Sequence, residues 1–181
     1  MCGPVAKPVH LRAVPPAPDL PTLEEAFRSH AGYVAGVAYR ILGRSGEVED
    51  VVQDVFLKAV VGLDTVREPD AIRPWLATIT VRVARRRIRS RWWREFFGPQ
   101  AQGAHDLLAA STASPEQGAL VRELYRVLDR LPVDQRLAWS VRFIEGERLE
   151  AVAILCGCSL ATAKRRIAAA QVRIERELDG E

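Results

Sequence analysis

Residues 72–94 read IRPWLATITVRVARRRIRSRWWR, and this stretch limits the possible folds more than any other. Pro74 suits the first turn of a helix, where its missing N–H would have no helical partner. Beyond it Trp75, Leu76, Ile79, Val83 and Ile88 keep roughly helical spacing and define a buried stripe. Arg82, Arg85, Arg86 and Arg89 fall on another face. Arg87, Arg91 and Arg94 thicken the charge, and Trp92 and Trp93 sit among them. A helix with one apolar stripe and one arginine stripe docks on a protein core while facing a polyanion. Clustered arginines bind phosphates, and aromatics beside them stack on unpaired bases. A solvated basic face or a membrane-surface helix has the same composition.

The charge is local. The net charge is only +3, yet residues 82–94 carry seven arginines and no acid, while residues 22–81 carry six Lys/Arg against nine Asp/Glu. That asymmetry points to one basic surface on an otherwise balanced protein. Hydrophobic residues make up 48% and charged residues 27%, the mix of a globular chain, and no apolar run approaches a membrane span. No apolar signal core appears at the start, which argues against secretion and membrane insertion. Cys2, Cys156 and Cys158 cannot pair completely, which fits a reducing cytoplasm.

Helical signals organise the rest of the chain, and no strand pattern or repeat is present. Residues 1–21 are proline-rich and read as a disordered tail. Thr22 and Glu25 form a capping box that opens a helix with Leu23, Phe27, Ala31, Val34, Ala38, Ile41 and Leu42 on one face. Gly43 and Gly46 end it. Residues 47–63 form the next helix, with Val48, Val51, Val52, Val55, Phe56, Ala59, Val60 and Leu63 as a wide core face. Its other side carries Asp50, Gln53, Asp54 and Leu57 at i, i+3, i+4 and i+7. That stripe reads as a docking face for a partner helix or as ordinary surface. Residues 64–73 read as a polar loop leading into the arginine helix. Residues 98–114 read as a linker.

A second helical unit spans 115–181. Ser114-Pro115-Glu116 resembles a helix cap with proline in the first turn. Leu120, Leu124, Val127, Leu128 and Leu131 give one helix, and residues 134–144 give another with Leu137, Ala138, Val141 and Ile144 inward. Residues 149–173, LEAVAILCGCSLATAKRRIAAAQVR, have a helix-turn-helix layout. Ala153 allows two helices to cross closely, Gly157 sits at the turn, and Ala163 and Ile167 pack the second helix back. Ser159 caps that helix, and Thr162, Lys164, Arg165 and Arg166 cluster at its start. There side chains reach a major groove while phosphates meet the helix N-terminus. An αα-hairpin of a helical bundle has the same apolar pattern. Cys156 and Cys158 lack a second cysteine pair or a nearby histidine, so they read as small apolar residues and no metal is expected. With three scattered histidines and no paired catalytic constellation, no active site and no cofactor are expected.

These motifs, in this order, resemble the sigma factors of bacterial RNA polymerase, above all the small extracytoplasmic-function (ECF) group. The first domain's pattern reads here as Glu49-Asp50, Gln53-Asp54-Val55-Phe56, Trp75-Leu76 and the basic helix from Arg82 to Arg94. The second domain's pattern reads as Leu131-Pro132, Glu145-Gly146, Ser159, Thr162, Lys164 and Arg166. The likeness covers about residues 22–178. It implies an all-α protein of two small domains, 22–97 and 115–181, joined by a flexible linker. Core RNA polymerase would bind Asp50, Gln53, Asp54 and Leu57. The melting region would use Arg73, Trp75, Arg82, Arg85, Arg86 and Arg89 on promoter DNA, with the loop 64–73 taking a flipped base. Ser159, Thr162, Lys164, Arg165 and Arg166 would read the upstream element. An anti-sigma factor is a further partner the resemblance allows. Two departures stand out. Arg82 and Arg86 replace an Asn and an Asp that the family often carries, and Glu147-Arg148-Leu149-Glu150 replaces a commoner L-S-Y-E-E. The rivals are a helix-turn-helix regulator that acts without polymerase and a sigma-like interaction module.

Overall fold

The computed structural model describes residues 21–97 and 114–178, the side chains of 95–97 excepted. Seven α-helices lie among these residues, and no strand. They are α1 (Leu23–Leu42), α2 (Val48–Gly62), α3 (Pro69–Phe97), α4 (Pro115–Arg130), α5 (Val133–Trp139), α6 (Leu149–Cys156) and α7 (Leu160–Leu178). Apart from Pro21 and Ser114, the proline-rich tail and the linker expected from the sequence lie outside the described residues.

Local chemistry sets the helix ends. The Thr22 side chain accepts from the Glu25 N–H, and the Glu25 carboxylate accepts from the Thr22 N–H, which closes the expected capping box. Ser114 and Gln117 make a second box at the start of α4, with Pro115 in the first turn. Gly43 ends α1 at φ +69°, a conformation that favours glycine. A Cβ there would also meet the Tyr125 ring at 2.2 Å, so this glycine serves a turn and a close approach together.

Three readings change. The helix carrying the arginines begins at Pro69, not at Pro74, and the polar loop is correspondingly short. Pro69 takes the first-turn role, and Pro74 lies inside the helix. Its missing N–H strands the carbonyl of Asp70, which is at the solvent-exposed start where water can serve it. The earlier start also lets Ile72 reach the core, where it is buried. Second, α5 ends at Trp139 and continues as a π turn over Ser140–Ile144, with the Glu145 N–H donating to the Ser140 carbonyl five residues back. Third, several residues expected inside are exposed: Phe27, Val60 and Leu120.

The remaining apolar stripes do meet. Val34, Ala38, Ile41, Val51, Val55, Ile72, Leu76 and Ala84 pack between α1, α2 and α3. The same cluster continues through Leu137, Ala138, Val141, Val152 and Ala163 of the second half, so the two halves share one core. Burial of this kind contributes roughly 1.5–3 kcal/mol per large side chain. A smaller cluster of Tyr125, Leu128, Leu131, Trp139 and Ile174 closes the second half.

Candidate nucleic-acid interface and docking face

Helical geometry sorts the arginines of α3 into two sets. Arg82, Arg86 and Arg89 are exposed and make no ion pair among the described residues. Arg82 and Arg86 line a shallow cleft of about 390 Å³ together with Lys58, Trp75 and Val83. Trp75 is half-buried, with its ring against Gly62, where a Cβ would come within 2.8 Å of it. A cleft with three cations and one indole can hold phosphates beside a base. Arg73, now in the early turns of α3, stacks over the Tyr33 ring at 4.3 Å.

The other arginines are engaged within the protein. Arg87 donates to Asp54 at 2.8 Å and to Asp50 at 3.2 Å. The hydrogen bond to Asp54 holds its guanidinium above the usual value. Arg85 pairs with Asp134 at 2.7 Å. Arg91 is buried, 3.2 Å from Glu47 and 3.6 Å from Asp129. Burial pushes its pKa down, opposed by Glu47.

Asp129 is the hub of the seam between the halves. It is bonded to Arg136 and Arg44 and faces Arg91. Burial alone would push its carboxyl up, but Arg136, Arg44 and Arg91 outweigh burial and hold it below the usual range. Arg136, only 1% exposed, also donates to the carbonyls of Ile41 and Leu42 at 3.2 and 3.0 Å. Tyr125 Oη donates to the Arg40 carbonyl at 2.6 Å, and the Arg40 guanidinium pairs with Glu145.

The stripe on α2 divides. Asp50 and Asp54 turn toward Arg87, whereas Gln53 and Leu57 line an open groove of about 810 Å³ between α1 and α2. Leu23, Phe27, Ala31, Val48, Val52, Phe56 and Val60 form its apolar walls, and Leu57 at its edge is 61% exposed. Nothing among the described residues covers it. An apolar groove with acids along one side fits an amphipathic helix from another protein.

In the helix-turn-helix, Gly157 takes φ +63° at the turn, and Ala163 and Ile167 are buried as the spacing requires. The Ser159 hydroxyl accepts from the Thr162 N–H and donates to the Thr162 hydroxyl, which caps α7. Lys164 and Arg165 are exposed, while Arg166 pairs with Asp134 at 2.7 Å. The thiol of Cys156 is pushed up to about 12 by burial, which keeps it protonated and inert. Among the described residues no helix is long and apolar enough to cross a membrane, and no cluster of His, Cys, Asp and Glu could hold a metal ion.

The arrangement matches known proteins. The family described as Sigma-70 region 2 matches residues 26–94. The ECF RNA polymerase sigma-E factor of Escherichia coli strain K12 is 30% identical over 147 residues, covering 74% of this chain and 75% of that protein. The chain belongs to the ECF group of RNA polymerase sigma factors. A probable RNA polymerase sigma factor, RfaY, of Xanthomonas campestris is 32% identical over 149 residues; the match covers 80% of this chain but only 37% of that longer protein. The fold is that of the sigma factor RpoE of Bartonella quintana, solved with the anti-sigma factor NepR. Its TM-score is 0.61 at 23% identity, over 86% of this chain and 96% of that one. Sigma factors are transcription initiation factors, and this one is accordingly not an enzyme.

Against that family, the sequence reading missed three parts of this sigma factor. The groove was hidden because most of its apolar walls, Leu23, Phe27, Ala31, Val48, Val52, Phe56 and Val60, read as core, while only Gln53 and Leu57 at its edge read as a docking face. The available signal was surplus: beyond its buried Val51, Val55, Phe56 and Ala59, α2 also carries Leu57, Val60 and Val61, all exposed. Asp134 and Asp129 were missed because an acid's partner on a distant helix leaves no mark in local sequence. Arg136 was not singled out, because arginine seldom buries without a partner and its partners lie on distant helices.

Proposed function

We propose that this sigma factor binds core RNA polymerase through the α1–α2 face of a first domain, residues 22–97. Within the same domain, α3 opens promoter DNA. The helix-turn-helix of a second domain, residues 115–181, engages the upstream promoter element, and residues 98–114 link the two. The observation that carries this reading is the open groove edged by Gln53 and Leu57, on the unit that also presents the cleft of Trp75, Arg82 and Arg86. A helix-turn-helix regulator acting without polymerase has no use for such a groove. Docking there is apolar first, with Asp50 and Asp54 adding attraction to a basic partner helix only as far as Arg87 shares them.

The base-holding site is the cleft beside Trp75 rather than the expected loop 64–73, because residues 69–73 are helical. Arg82, Arg86 and Arg89 follow the separated strand. Ser159 and Thr162 set the start of α7, and Lys164, Arg165 and Arg166 meet the groove or its phosphates. Strand opening draws on binding energy, as held bases and phosphates offset a few kcal/mol of stacking lost per step. The protein works in the cytoplasm, where polymerase and DNA are. An anti-sigma factor is a further partner, supported by the NepR complex of the Bartonella protein.

The test is affinity for core polymerase, followed by transcription in vitro. Leu57→Asp in a well-folded chain weakens core binding by about tenfold, about 1.4 kcal/mol. Asp54→Lys weakens it less, because the carboxylate it removes is already largely answered by Arg87 at 2.8 Å. Unchanged core affinity in both variants removes the docking assignment and leaves the regulator that acts without polymerase.

A further inference from the structure

Asp134, the second residue of α5, holds one arginine from each of the two DNA-facing helices. One carboxylate oxygen takes Arg85 of α3 at 2.7 Å, and the other takes Arg166 of α7 at 2.7 Å. Neither arginine makes another ion pair among the described residues. Their charge is therefore answered inside the protein by this single acid. A carboxylate gripped by guanidiniums on both sides presents to them what a backbone phosphate would: anionic oxygens in hydrogen-bonding reach.

The site is open to solvent. Side-chain exposure is 34% for Asp134, 40% for Arg85 and 23% for Arg166. Ion pairs this exposed are weak, screened by salt and readily exchanged. They can therefore be displaced by a polyanion, which gains further from the release of its own counterions. The two bonds differ in kind. Arg166 and Asp134 lie in the same half of the molecule, whereas Arg85 reaches Asp134 across the seam.

We propose that Asp134 is an internal competitor for DNA, occupying Arg85 and Arg166 in the closed arrangement so that promoter phosphates must displace it from both. Parting of the halves takes Arg85 away outright, while Arg166 stays on the acid until a phosphate replaces it. Linkage makes the effect reciprocal: opening the seam raises the affinity for DNA, and DNA favours the open seam. The proposal rests on the DNA-facing assignment of Arg85 and Arg166 made above.

The experiment is titration of a short labelled duplex of arbitrary sequence with the full-length chain, followed by fluorescence anisotropy over a series of salt concentrations. Asp134→Asn keeps the shape and removes the charge. It tightens binding by about tenfold at about 0.1 M salt and steepens the dependence of log K on log salt by about one unit for each guanidinium released. Asp134→Glu, which keeps a carboxylate, binds as the parent does. Should Asp134→Asn not fold, as judged by circular dichroism, Asp134→Ser is read in the same way. Parental affinity and slope in the charge-removed variant, with Arg166→Ala still weakening binding, overturn the competitor while leaving the DNA assignment standing. If Arg85→Ala and Arg166→Ala leave duplex binding unchanged in both backgrounds, the assignment and the competitor fall together.

Discussion

Two sets of arginines on one helix have opposite fates. Arg82, Arg86 and Arg89 stand in water, whereas Arg85, Arg87 and Arg91, interleaved among them, are answered by Asp134, by Asp50 and Asp54, and by Glu47 and Asp129. The residue type is the same and the spacing differs by one or two positions. What separates the sets is rotation about the helix axis, which turns one face toward α2 and the second half and the other toward solvent. A basic run is therefore not one surface. Part of it is structural charge that holds the protein in shape, and the rest is available to an outside partner.

The largest expected effect lies where the internal set is most buried. The seam brings Arg44, Arg91 and Arg136 around Glu47 and Asp129, three cations against two acids. Asp129→Asn leaves three cations facing one acid in partial burial, and costs about 3 kcal/mol in urea unfolding. Acid acts on the same group. Because the folded-state pKa of Asp129 lies below its unfolded value of about 3.9, its contribution is complete above that pH and fades as pH falls through the lower, folded value. The Asn variant should lack this component of the acid transition. Arg91→Met is the sharper test of the charge count. It balances the seam at two against two and retires a guanidinium whose nitrogens make no hydrogen bond. It should cost under about 1 kcal/mol, or even stabilise. A cost above that of Asp129→Asn would mean the arginine itself holds the seam.

A smaller effect is expected at Arg87, whose partners Asp54 and Asp50 are 43% and 62% exposed. Arg87→Ala should change stability by roughly 0–1 kcal/mol. It should also raise affinity for core polymerase at low salt, because both acids become free for a basic partner. The smallest effect on stability belongs to the external set. Arg82→Ala with Arg86→Ala should leave unfolding within about 0.5 kcal/mol of the parent. The same pair should leave closed-promoter binding mostly intact and cut open-complex formation, read by permanganate reactivity of unpaired thymines. A promoter mismatched in advance over the melted region should recover much of the loss. Normal opening of duplex promoters by the double variant would reduce the external set to an electrostatic anchor.

The helices were legible in the sequence because their ends are chemical: Thr22 with Glu25, Gly43, Ser114 with Pro115, Gly157 and Ser159 all act where they were read. Pro74 misled because two prolines, five positions apart, both suit a first turn, and only the burial of Ile72 decides between them. The arginines of α3 were legible as a set, but not their division into paired and exposed groups, since periodicity reports which side chains share a face and not what stands opposite. For the same reason Phe27 and Val60 scored as core. An apolar face calls for a cover, and none of the described residues supplies it here. Arg136 and Asp129 were beyond sequence reasoning altogether, because each draws its meaning from helices brought together by the fold.

The carbonyls of Ile41 and Leu42 end α1, and the guanidinium that donates to them belongs to Arg136, which stands 95 and 94 positions further along. The last turn of α1 is thus completed by the other half of the molecule. Whenever the halves part, those carbonyls return to water and the turn frays, so the amides near Tyr39 and Arg40 become a gauge of separation. Their protection from deuterium exchange would report the free energy of opening the closed form, while amides in the middle of α1 wait for the whole unit to unfold.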